Sequence, residues 1–160
     1  MSQIRVVWGT ATGPTAMASY DAALAEANVH NFNLITVSSV IPAEPTVEAV
    51  GTAPDLGPAG EALTVVESRA TVAPDDDSDP CAGVGWTRSE SGRGLFYECS
   101  GSDVEVVSAA IEDGLDAGRD LRDWSFHDDE RVVVEHTEGS SDAYTTVVVL
   151  AVYGDSWPLL

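Results

Sequence analysis

Residues 31–45 read NFNLITVSSVIPAEP. The apolar run LITV at 34–37 meets two serines and halts at Pro42 and Pro45. Apolar and β-branched residues favour the pleated backbone, and proline cannot donate to a ladder, so the stretch predicts a strand over 33–40. Side chains on a regular strand alternate between faces, which sets Ser38 and Ser39 on opposite sides, one of them inward. A strand that ends in small polar residues before a turn is one account of this pair. A chemical role for two adjacent hydroxyls is the other.

Working outward, IRVVW (4–8) predicts a first strand, followed by the loop GTATGPT. Met17, Tyr20, Leu24 and Ala27 recur at helical spacing, giving a helix over 16–28. The Pro/Gly/Ala-rich 42–60 reads as a long surface excursion, and ALTVVESRATV (62–72) as a returning strand. PDDDSDP (74–80) is a solvated acidic turn, because the rest of a calcium loop is missing. CAGVGWT and RGLFYEC form two short strands around RSESG. Ser102 and Glu105 have capping-box spacing, and Val104, Val107, Ile111, Leu115 and Leu121 give the following helix its apolar face. RVVVEH and AYTTVVVLAVY close the chain as strands. The order β-α-β-β then β-β-α-β-β favours a single α+β domain over a doubly wound parallel sheet.

Composition narrows the function. The chain has 160 residues, 44% hydrophobic, with a formal charge of −20. All seven basic residues are arginine. An acid-rich, lysine-free surface suits concentrated salt, where self-repulsion is screened, and so the cytoplasm of a salt-accumulating halophile. No basic stripe exists to displace phosphate counterions, which argues against nucleic acid. MSQIRVVWGT lacks the pattern of a signal peptide, and no apolar run is long enough for a membrane helix. Cys81 and Cys99 match no zinc spacing and are expected to be reduced.

Without lysine there is no pyridoxal phosphate linkage and no P-loop lysine. His30, His127 and His136 are scattered without metal-ligand spacing, so no metal is expected. No G-x-S-x-G elbow surrounds a serine. The Ser38–Ser39 pair permits self-cleavage instead. The Ser39 hydroxyl attacks the Ser38 carbonyl, an N→O shift gives an ester, and elimination across Ser39 leaves dehydroalanine, which hydrolyses to a pyruvoyl group. A strained peptide and an oxyanion partner are required, because a serine oxygen is otherwise a weak nucleophile.

The segment GPTAMASYDAALAEANVHNFNLITVSSVIPAEP, and NFNL..VSS.IP within it, resembles the N-terminal signature of the pyruvoyl-dependent arginine decarboxylases of archaea and some bacteria. GLFYECSG (94–101) resembles a second block of that family. The chain departs from the pattern at His30, where a glycine is usual, and in AMASYD at the helix start.

The resemblance implies a four-layer αββα sandwich, cleaved into a β chain of residues 1–38 and an α chain of residues 39–160. It implies homo-oligomers of αβ units, trimers or hexamers, with sites between subunits. Ser39 becomes the covalent pyruvoyl, and Asn33, six positions earlier, assists processing by polarising the Ser38 carbonyl. Glu98 is the proton donor to the substrate Cα. A carboxylic acid doing this near neutrality needs burial or a negative neighbour. Asp21 faces the guanidinium of L-arginine, which is decarboxylated to agmatine and CO2. Two alternatives stay open: the same chemistry on another amino acid, and an uncleaved, non-enzymatic oligomeric binding protein.

Overall fold

Residues 31–45 serve two sheets instead of forming one strand. In the computed structural model, which describes residues 3–160, the chain runs β1 (Gln3–Gly13), α1 (Ala16–Glu26), β2 (Asn33–Thr36), β3 (Val40–Ile41), β4 (Thr46–Gly51), β5 (Ala62–Val72), β6 (Cys81–Ser89), β7 (Gly94–Gly101), α2 (Val104–Asp120), β8 (Phe126–His136) and β9 (Tyr144–Tyr153). A five-stranded mixed sheet has the order β2-β5-β9-β1-β4, and a four-stranded antiparallel sheet the order β3-β7-β6-β8. The protein is therefore α+β, with two sheets and two helices.

The expected strand over 33–40 is broken at the serines. β2 pairs in parallel with β5, and the Val37 N–H still donates to Val65. By Val40 the chain has crossed to β7 of the other sheet. Ser38 and Ser39 occupy the corner, and Ser39 has φ 65°. The corner leaves the regular pleat at this left-handed residue, and of the pair Ser38 is exposed while Ser39 is half-buried.

The 42–60 excursion also needs correction. Thr46–Gly51 forms an edge strand parallel to β1, and Ala53 and Leu56 enter the core. The flanking prolines sit outside the ladder, which is where a strand tolerates them.

Three apolar clusters fix the layers. Ile4, Val6, Val66, Val149 and Ala151 of the larger sheet meet Val84, Trp86 and Phe96 of the smaller. α1 packs on the other face of the larger sheet through Ala23, Leu24 and Ala27. α2 packs on the smaller sheet through Val107, Ile111 and Leu115.

The face of α1 differs from the expected one in part: Leu24 and Ala27 are buried and Tyr20 packs against them, but Met17 is 70% exposed and Ser19 and Ala23 are buried in its stead. Small residues face β1, where a Cβ on Gly9 would run into the Ala23 carbonyl. Close approach selects alanine and serine over methionine. The start of α2 is also one residue on. Asp103 is the N-cap, accepting from the Glu105 and Val106 N–H groups, so the Ser102 capping box does not form. Leu121 lies beyond the last turn and is 84% exposed.

Candidate active site

The corner at 38–39 is built by both sheets. Within β7, Phe96 and Glu98 share a face, because side chains two apart do. Phe96 is buried between the sheets, which sets Glu98 on the same side in the middle of the strand, past its buried first half, where it is exposed. There Glu98 meets Ser39, whose hydroxyl donates to Oε2 at 3.1 Å. Tyr97 points the opposite way, onto α2. A Cβ on Gly114 would overlap the Tyr97 ring, so glycine at that position lets the helix sit against it.

The backbone at the corner is held at two further points. The Phe96 N–H donates to the Ser39 carbonyl at 2.8 Å. The hydroxyl of Tyr153, at the end of β9, donates to the Val40 carbonyl at 2.9 Å. Burial pushes the Tyr153 phenol up to about 12, and the nearby charge of Glu98 adds to the effect. Its ring lies 6.0 Å from that of Phe96.

Next along the chain, Arg88 spreads its guanidinium over the carbonyls of Pro42, Ala43 and Pro45, and its Nε donates to Gly92. A planar fork with five donors suits this cluster of carbonyls.

A shallow cavity of about 240 Å³ opens beside the corner, lined by Ser38, Ser39, Phe96, Tyr97, Gly114 and Leu121. Asp21 and Asn33 are elsewhere. Both line a cleft of about 630 Å³ with Met17, Tyr20, His30 and Phe32. Its wall is braced by Tyr20, which donates to Glu67 at 2.6 Å beneath the Arg69 guanidinium.

Asn33 begins β2 and donates its side-chain amide to the Gly60 carbonyl at 2.8 Å. Five extended residues at about 3.3 Å each separate it from Ser38, roughly 16 Å. One chain thus joins Ser39 to Glu98, and Asp21 to Asn33, but not the two pairs to each other. Tyr153, Arg88 and the Phe96 N–H were not singled out from sequence. Tyr153 ends an apolar strand and reads there as core.

The acidic turn at 74–80 binds its own chain: Asp76 accepts from the Ser78 N–H and Asp79 from the Gly139 N–H. Those bonds from Ser78 hold the Asp76 carboxyl below its ordinary range. All three histidines are exposed, and among the described residues no three His, Cys, Asp or Glu side chains gather as a metal site. Cys81 and Cys99 are free thiols.

The family model for pyruvoyl-dependent arginine decarboxylase matches residues 3–158. A pyruvoyl-dependent arginine decarboxylase of Halobacterium salinarum is 47% identical over 160 residues, covering 99% of this chain and 98% of the relative. One from Thermococcus sibiricus is 31% identical, covering 80% of each chain. One from Methanocaldococcus jannaschii is 26% identical over 84% of this chain and 80% of the relative. A match along nearly the whole chain includes both the serine corner and the strand that carries Glu98, and it places the chain in the pyruvoyl-dependent arginine decarboxylase family.

Proposed function

We propose that the chain cleaves itself between Ser38 and Ser39, converts Ser39 into a pyruvoyl group, and decarboxylates L-arginine to agmatine and CO2. The observation that carries this reading is the hydrogen bond from the Ser39 hydroxyl to Glu98 at a residue whose φ is 65°. A left-handed backbone costs a non-glycine residue about 1–2 kcal/mol, because Cβ crowds a carbonyl oxygen. Conversion to pyruvoyl makes that Cα trigonal and removes the clash, so the corner fits the group better than it fits the serine.

In the cleavage, Oγ of Ser39 attacks the Ser38 carbonyl carbon, with Glu98 placed to take the hydroxyl proton. The C–N bond breaks and its nitrogen gains a proton, leaving an ester and a free amine on residue 39. Loss of the residue-39 Cα hydrogen and departure of the Ser38 carboxylate give dehydroalanine. Water then replaces the nitrogen, which leaves as ammonia. The steps are redox-neutral and need no co-reactant beyond water.

The pyruvoyl group supplies a ketone that condenses with the substrate amine and withdraws the electron pair released with CO2. The Phe96 N–H already holds the adjoining carbonyl, where negative charge gathers. Glu98 returns a proton to the substrate Cα. Asp21 meets the guanidinium as a planar fork on a carboxylate.

That Asp21 and Asn33 share a cleft apart from Ser39 supports an assembly of αβ units, trimers or hexamers, in which a neighbouring copy completes each site. In that assembly the neighbour's amide polarises the Ser38 carbonyl. The three apolar clusters support a four-layer αββα sandwich. A charge of −20 and the Halobacterium relative support a cytoplasmic enzyme of a salt-accumulating cell. The test is Ser39→Ala, which is expected to stay in one piece and release no agmatine. Agmatine from that variant overturns the assignment.

A further inference from the structure

Breaking the 38–39 bond turns residue 39 from mid-chain into a chain end. From then on it is held only from its C-terminal side and by whatever touches it directly. β3 is two residues long and lies at a sheet edge, pairing with β7 alone through Val40↔Leu95 and Ile41↔Gly94. So short a ladder leaves the first residues of the α chain dependent on a few individual bonds, among them Phe96 N–H to the Ser39 carbonyl and Arg88 to Pro42 and Ala43.

Tyr153 reaches this segment from the opposite sheet. β9 is bonded on both sides, by β1 and β5, so its backbone is fixed. The aromatic ring packs in the inter-sheet cluster against Phe96, and the hydroxyl donates to the Val40 carbonyl at 2.9 Å. The phenol is thus a fixed post bonded to the first carbonyl beyond the residue that becomes reactive. Its raised pKa keeps it a neutral donor at any pH near neutrality.

We propose that Tyr153 is the positioning residue for the new α-chain terminus: through the Val40 carbonyl its hydroxyl keeps residue 39 beside Glu98 after the chain is cut. This rests on the self-cleavage reading above. Before the cut the contact is redundant, because the chain holds residue 39 from both sides. Afterwards it shares with the Phe96 N–H bond to the Ser39 carbonyl the role of keeping the reactive carbon near its proton donor, and a displacement near 1 Å costs about a hundredfold in rate.

The experiment compares wild-type protein with Tyr153→Phe, which retains the ring and removes only the hydroxyl. Denaturing mass follows cleavage, steady-state assays give kcat and KM, and hydrogen exchange follows residues 40–45. Cleavage is expected to reach completion in both. In the cut variant kcat falls about tenfold, one hydrogen bond's worth, with KM within about twofold. Exchange at 40–45 quickens in the cut variant, and does not when Tyr153→Phe is combined with Ser39→Ala. Unchanged kcat and exchange overturn the role of Tyr153, as does faster exchange throughout both sheets, which marks general destabilisation. An uncut wild-type chain instead removes the self-cleavage reading beneath it.

Discussion

The hydroxyl of Ser39 and the carboxylate of Glu98, 59 residues apart in sequence, meet at 3.1 Å where the chain passes from one sheet to the other. On the proposed mechanism one carboxylate serves both the atom that starts cleavage and the substrate Cα. Replacing it by an amide keeps an acceptor for Ser39 and removes the proton. Because an amide cannot take that proton, Glu98→Gln is expected to cleave more slowly and, once cut, to turn over about 10²–10⁴-fold more slowly, with KM little changed. Single-turnover kinetics on fully cut protein measure this.

Asp21 is the residue proposed to meet the substrate's guanidinium. Losing a charged hydrogen-bonding pair costs about 1.5–3 kcal/mol, so Asp21→Asn is expected to raise the arginine KM about 10–150-fold while cleavage proceeds. Co-assembly of Asp21→Asn with Glu98→Gln chains has a sharper outcome. If each site draws on two copies, random mixing restores about a quarter of the sites, as symmetry of the interfaces requires. Recovery no greater than the two separate variants rejects the shared site.

Arg88 ties down the segment that follows the proposed cut, using carbonyls of Pro42, Ala43 and Pro45. Lysine carries the charge but not the fork. Arg88→Lys is expected to destabilise the fold by about 1.5–3 kcal/mol, read from urea unfolding of the Ser39→Ala chain so that one covalent species is compared.

The tyrosines give a pH signature. Burial and Glu98 raise Tyr153 from 10 to about 12. Burial and the bond to Glu67 push Tyr20 higher still. In both cases the folded state favours the neutral phenol. Their contribution to stability is therefore intact below pH 10 and is lost as pH rises through the folded value. Ultraviolet titration is expected to show two of the four tyrosines ionising late, and all four together near the ordinary value in denaturant. Four normal tyrosines in the native protein contradict these burials.

The sequence was informative where pattern and local structure agree. β5, β9 and the Val107/Ile111/Leu115 face of α2 follow from apolar spacing alone. Ser39 and Glu98 were singled out by motif, and they meet. β3 escaped notice because two residues carry no period, and β4 because Pro, Gly and Ala around it read as loop. On α1 the expected Leu24 and Ala27 are buried and Tyr20 packs beside them, but Met17 is exposed, and Ser19 and Ala23 take the side close to β1. The left-handed turn at Ser39 has no glycine to announce it. Tyr153 is far away in sequence, and its hydroxyl gains a partner only when the two sheets are stacked. Long-range placement of this kind is set by tertiary packing, which single-sequence patterns do not carry.

The most direct measurement is the intact mass of purified protein under denaturing conditions, taken with and without a carbonyl-trapping hydrazine. Two fragments are predicted, residues 1–38 and residues 39–160, with the hydrazine adduct on the N-terminus of the larger. A single 160-residue chain that takes up no hydrazine contradicts the account.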